Sequence, residues 1–143
     1  MIVDSMPGTT RDAVYSYCIH NGRKFQLVDT AGLYKRPITK VDNLTQGEVN
    51  KAVKYSQVVI LLIDSQHPLT RLDFSHIRFV LENGRALLIL GNKWDLVGVK
   101  YRKKATAFLQ KQLLRSIDLK TLRVNFISAK SDNNVDHVLD NVM

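Results

Sequence analysis

Two unbroken apolar runs, residues 58–63 and 86–90, restrict this chain more than any other feature. Each is too short for an ordinary helix and is built from aliphatic, largely branched side chains, the pattern of a strand covered on both faces in a parallel sheet. The segment between them reads as a crossover helix. From Arg71 to Glu82 the apolar residues Phe74, Ile77 and Leu81 recur at helical spacing, and Gly84 stands where the helix would end.

The alternation continues in both directions. Residues 102–116 read as a basic helix with Ala105, Phe108, Leu109 and Leu113 on one side, residues 122–127 as a strand and residues 134–142 as a last helix. Nearer the N-terminus, residues 14–19 and 24–28 read as strands around His20-Asn21-Gly22-Arg23, because Asn-Gly accepts the positive φ angles of a tight hairpin. A polar loop, residues 32–44, leads to Thr45-Gln46-Gly47-Glu48, which has the form of a capping box opening a helix to about Ser56. The order predicts an α/β, Rossmann-like three-layer sandwich whose mostly parallel sheet carries one antiparallel hairpin strand. Ligands bind such sheets beyond the carboxyl ends of the strands.

A chain of 143 residues, 45% hydrophobic and 24% charged, suits one globular domain. The longest apolar run stops at Asp64, well short of the roughly 18 residues needed to span a bilayer, so no membrane partner is expected. The N-terminus lacks the pattern of a secretory leader, which makes the cytoplasm the expected location. Cys18, the single cysteine, reads as buried filler. The net charge of +8 is uneven: Lys100, Arg102, Lys103, Lys104, Lys111, Arg115, Lys120 and Arg123 face only Asp118, a local balance of +7. That stretch suits a polyanion such as RNA, and a solvated helix face accounts for it equally well.

Four segments beside the strand ends carry chemistry: Pro7-Gly8-Thr9-Thr10-Arg11-Asp12, Asp29-Thr30-Ala31-Gly32, Asn92-Lys93-Trp94-Asp95 and Ser128-Ala129-Lys130. In order and spacing they resemble the TrmE-Era-EngA group of translation-factor-related P-loop GTPases. Together with Asn21-Gly22-Arg23-Lys24, the basic Lys35 and Arg36, and Asn83-Gly84-Arg85 before a strand, they resemble the second GTPase domain of the Der/EngA family over essentially the whole chain. Arg36-Pro37-Ile38-Thr39 and His67-Pro68-Leu69 depart from the usual pattern.

The resemblance implies roles for these residues. Asp95 would accept from guanine N1–H and N2–H, a match adenine cannot offer, while Asn92 braces the loop and Lys93 lies along the purine. Ser128, Ala129 and Lys130 would form the second guanine loop, with the Ala129 N–H on O6. Asp29 would hold a water on Mg²⁺, with Thr30 and Ala31 beside the nucleotide. Gly32 would bring its N–H to the γ-phosphate, and Thr10 would reach Mg²⁺ when GTP is bound. Leu33 cannot orient water, and K⁺ cupped by Thr9 and the backbone near Asp4 and Met6 would supply charge instead. The family implies hydrolysis of GTP to GDP and phosphate in assembly of the large ribosomal subunit by a monomeric protein. Ribosomal RNA would be met through Lys100 to Arg123.

No Gly-x-x-x-x-Gly-Lys-Ser/Thr occurs; the glycines stand at 8, 22, 32, 47, 84, 91 and 98. That loop supplies most phosphate-binding free energy in such domains. Residues 1–143 are therefore expected to be one GTPase domain truncated at its N-terminus, without the first strand and phosphate loop, ending near its last helix and inactive alone. Two rivals stand: a pseudo-GTPase with a residual guanine site, and a basic RNA-contacting module indifferent to nucleotide. His20, His67, His76 and His137 share no metal-ligand spacing. Asp64 and Asp73 are better explained as a loop residue and a helix N-terminus than as an acid–base pair.

Overall fold

The computed structural model describes residues 3–5, 14–29, 42–116 and 122–143, which fall into two compact units, Met1–Ser56 and Gln57–Met143. In the first unit, β2 (Val14–His20) and β3 (Arg23–Asp29) form an antiparallel hairpin with His20 opposite Arg23 and Val14 opposite Asp29. Its turn residues Asn21 and Gly22 have φ of 47° and 75°, the left-handed values for which Asn-Gly is suited. A third strand, β1 (Val3–Ser5), pairs antiparallel with β2, Val3 facing Cys18. Three residues carry no readable periodicity, so nothing in the sequence announces β1. Cys18 is 1% exposed, as filler should be.

Helix α1 (Asp42–Tyr55) closes this unit and begins before the expected capping box. Thr45 and Glu48 therefore lie within the helix. A threonine costs only a few tenths of a kcal/mol inside a helix, so Thr-x-x-Glu does not by itself mark an entry.

In the second unit, β4 (Val58–Asp64), β5 (Ala86–Asn92) and β6 (Val124–Phe126) form a parallel sheet in the order β4-β5-β6. The register sets Val58 opposite Ala86 and Asp64 opposite Asn92. Helices α2 (Arg71–Glu82) and α3 (Val99–Ser116) supply the core: Ile77, Leu109 and Leu113 pack with Ile63 and Ile89, and Leu61, Leu87, Val124 and Phe126 join them. A reciprocal capping box starts α2, Thr70 Oγ1 accepting from the Asp73 N–H (3.2 Å) and Asp73 Oδ2 from the Thr70 N–H (2.7 Å). Asp73 thus serves the helix N-terminus, as its sequence position implies.

Covering of residues 58–63 on both faces is corrected among the described residues. Ile60 and Leu62 are 37% and 59% exposed, because α2 and α3 both pack with the Leu61 and Ile63 side of the strand. The last helix, α4 (Val138–Val142), is shorter than expected. Asn134, the expected first residue, has a φ of 61°, which a right-handed helix cannot include. Likewise, the strand spans only Val124–Phe126 of the run 122–127. Beside β6, α4 lines an open pocket of about 370 Å³ together with Leu90, Ile127 and His137. No described helix is long and apolar enough to cross a membrane.

Candidate functional site

The carboxyl ends of β5 and β6 are stitched together immediately after the core. Ile127 N–H donates to Gly91 O (2.9 Å) and Trp94 N–H donates to Ile127 O (3.1 Å). Lys93, at φ 61° and ψ 31°, turns the chain through the left-handed region into a 3₁₀ turn, Trp94–Leu96. For a residue with a Cβ that conformation costs on the order of 1 kcal/mol, and the bonds on either side hold it.

Two polar contacts then join the turn to the loop after β6. Asn92 Oδ1 accepts the Ala129 N–H at 3.0 Å, and Ser128 Oγ donates to Asp95 Oδ1 at 2.5 Å. Ser128 is fully buried, and its backbone exchanges two 3.0 Å hydrogen bonds with Asn133. Burial and bridging fix the hydroxyl, and the hydroxyl fixes the exposed Asp95 carboxylate. Asn92, Lys93, Asp95, Ser128 and Ala129 are thereby gathered at one end of the sheet, and Lys130 is exposed on the same loop.

Beneath the turn, the Trp94 indole stacks on Phe126 with centroids 3.9 Å apart and 23° between planes. The Phe126 ring has room because position 91 is glycine: a Cβ there would lie 2.7 Å from Phe126 Cδ1 and 2.7 Å from Ser65 Oγ. The Arg102 guanidinium, from α3, lies over the indole at 5.3 Å and donates from Nε to Val97 O (3.1 Å) and from Nη2 to Trp94 O (3.2 Å).

Lys93 does not extend freely. Its Nζ donates to Asp64 Oδ2 at 2.8 Å, while Asp64 Oδ1 accepts the Gln66 N–H at 2.9 Å and His67 approaches to 4.0 Å. The Lys93 hydrogen bond, then the Gln66 N–H, hold the Asp64 carboxyl below its ordinary value of 3.8, with partial burial opposing them. Asp64 is therefore more than a solvated loop residue, and one signal could have found it: it and Asn92 each end an apolar strand in the same register. Arg102 carries no such signal, since its separation from Trp94 means nothing until the helix is in place.

The other expected site residues lie in the first unit or outside the described residues. Asp29 ends β3 and Asp4 lies in β1 opposite Tyr17, both in the first unit. Met6, Thr9, Thr10, Thr30, Ala31, Gly32 and Leu33 lie outside the described residues. Of the basic stretch, Lys100, Lys103, Lys104, Lys111, Arg115 and Arg123 are exposed, Arg102 is committed to the turn, and Lys120 lies outside the described residues.

Over residues 1–93 the sequence matches the family described as 50S ribosome-binding GTPase. The chain belongs to that GTPase family. GTPase Der from Cronobacter sakazakii is 36% identical over 144 residues, covering 99% of this chain and 29% of that protein. GTPase Der from Hamiltonella defensa is 34% identical over 149 residues, covering 99% and 28%. The Der/EngA resemblance is borne out, and the chain spans less than a third of the length of these relatives. The fold is that of P-loop GTPases. Translation elongation factor SelB from Methanococcus maripaludis, in complex with the GTP analogue GppNHp, superposes with a TM-score of 0.70 at 18% identity over 92% of this chain and 27% of that one. A variant of Era from Aquifex aeolicus bound to GDP·AlF4⁻ gives 0.70 at 21% identity, over 98% of this chain and 47% of that one.

Proposed function

We propose that the turn at residues 92–95 and the loop at residues 128–130 of this GTPase-family chain read the guanine base of GTP and GDP. The protein that carries them hydrolyses GTP during assembly of the large ribosomal subunit. The observation that carries the reading is the buried Ser128 hydroxyl aiming the exposed Asp95 carboxylate beside the Ala129 N–H. An aimed carboxylate can accept from guanine N1–H and N2–H together, whereas adenine presents no such pair of donors. The Ala129 N–H would exchange Asn92 Oδ1 for guanine O6, an exchange of one amide–carbonyl bond for another that costs little. At the phosphate end, Thr10 and Asp29 would hold Mg²⁺, Gly32 would meet the γ-phosphate, and Thr9 with the backbone at Asp4 and Met6 would hold K⁺; these cations would supply charge neutralisation.

The test is base specificity in the full-length protein. Asp95→Asn should weaken GTP binding by at least about tenfold, the value of a charge-assisted hydrogen bond. It should also strengthen XTP binding, because the amide can donate to xanthine O2. Unchanged GTP affinity would remove Asp95 from base reading.

A second reading concerns α3. Its exposed Lys100, Lys103, Lys104, Lys111 and Arg115 present a cationic face to ribosomal RNA. Lys103→Gln with Lys104→Gln should lower the slope of log K against log salt by roughly one unit for each phosphate no longer neutralised. Identical slopes in a filter-binding titration would return α3 to the role of a solvated helix.

A further inference from the structure

We propose that Arg102 is a positioning residue for base recognition, holding the Trp94–Val97 turn so that Asp95 meets both guanine donors at once. This rests on the guanine reading of Asp95 and assigns part of that specificity to a side chain outside the recognition sequence.

The turn has little stiffness of its own. Its internal bonds are the 3₁₀ pair Leu96 N–H to Lys93 O (3.0 Å) and Val97 N–H to Trp94 O (3.2 Å), and it is entered through the left-handed Lys93. Asp95 lies between the two carbonyls, Trp94 O and Val97 O, that Arg102 grips. A guanidinium is a rigid planar fork, so gripping both carbonyls fixes the separation and tilt of the Trp94–Asp95 peptide unit relative to the Val97–Gly98 unit that ends the turn. The same group lies over the Trp94 ring, which already rests on Phe126. The turn is thus tied to β6 through Trp94 and to α3 through Arg102.

Burial agrees with this division of labour. Arg102 is half-buried, whereas Lys100, Lys103 and Lys104 around it on α3 are exposed. Position 102 is withdrawn from the outer cationic face and applied to backbone. Loss of the fork leaves the turn anchored only at its Trp94 end, and the Asp95 carboxylate is then held by Ser128 at one oxygen, which leaves its tilt open. One bond to the base survives such a tilt, and two simultaneous bonds do not.

Inosine nucleotides separate these cases, because hypoxanthine keeps O6 and N1–H and lacks the N2 amino group. The experiment measures GDP and IDP affinities by calorimetry for full-length wild type, Arg102→Met and Arg102→Lys, with melting temperatures alongside. Wild type should prefer GDP by about tenfold, the worth of one hydrogen bond to a charged acceptor. In Arg102→Met the GDP/IDP ratio should fall to near one. Arg102→Lys, which keeps the charge without the fork, should give an intermediate ratio. A lowered melting temperature with the wild-type ratio would show that Arg102 only stabilises the fold and would overturn the proposal. Should Arg102→Met fail to fold, a wild-type ratio in Arg102→Lys overturns it equally. Absence of GDP preference in the wild type would instead defeat the guanine reading of Asp95.

Discussion

Gly91→Ala puts the packing beneath the turn at residues 92–95 to a direct test. The added methyl would start 2.7 Å from both Phe126 Cδ1 and Ser65 Oγ, and 2.9 Å from Phe126 Cε1. Carbon–carbon contacts normally begin near 3.5 Å, so the ring must retreat by the better part of an ångström. Its retreat is hindered, because Trp94 is stacked on it at 3.9 Å and Val124 and Phe126 form part of the core around Ile89. Inserting a methyl into a packed site of this kind costs about 1–3 kcal/mol. Gly98→Ala is the control, since its nearest contact is the Tyr101 ring at 3.3 Å and that ring is an exposed side chain able to swing away. Urea denaturation of the two variants should give a clear drop in midpoint for Gly91→Ala and under about 0.5 kcal/mol of change for Gly98→Ala. The displaced Phe126 should also shift Trp94, so guanine-nucleotide affinity should fall with stability. A Gly91→Ala protein with the wild-type midpoint would refute the claim that position 91 has no room for a side chain.

Two further outcomes are expected. Ile77→Ala, at a fully buried position packed with Ile89, Leu109 and Leu113, should lose about 2–5 kcal/mol by denaturation, and a loss under about 1 kcal/mol would place Ile77 outside the core. Asp64 has a carboxyl pKa depressed in the folded state, so its stabilisation is present above the ordinary carboxylate range and disappears as pH falls through the folded value. Asp64→Asn should accordingly be less stable than wild type at neutral pH, with the difference vanishing as pH falls below the depressed folded value and shrinking in added salt; a difference independent of pH would refute the Lys93 pairing.

What is legible in the sequence divides along the range of the forces involved. The Asn21-Gly22 turn and the whole of α2, Arg71–Glu82, are legible because their determinants are local: two residues able to take positive φ, and an apolar stripe ended by Gly84. Strand β1 and the exposure of Ile60 and Leu62 are not, since pairing with Cys18 and the choice of which sheet face receives α2 and α3 depend on distant segments. The turn at residues 92–95 shows the same division. Asn92, Asp95, Ser128 and Ala129 are readable as motif residues and the structure brings them together, but the support from Asp64 and Arg102 arises only once β4 and α3 flank the turn. The α1 start fails for the opposite reason, a local signal that the helix simply runs past.

The pairing pattern also sets an order of events in folding. In the hairpin, His20 and Arg23 meet across two residues, and a contact of that kind closes in roughly 1–10 μs. The parallel sheet must bring Val58 to Ala86 and Ile89 to Val124, each across an intervening helix, before either pair returns any free energy. Gln57–Met143 is therefore the slower unit to form. Because Trp94 takes up its stacking partner Phe126 only when β6 docks on β5, the quenching or shift of its fluorescence should mark the last of these closures.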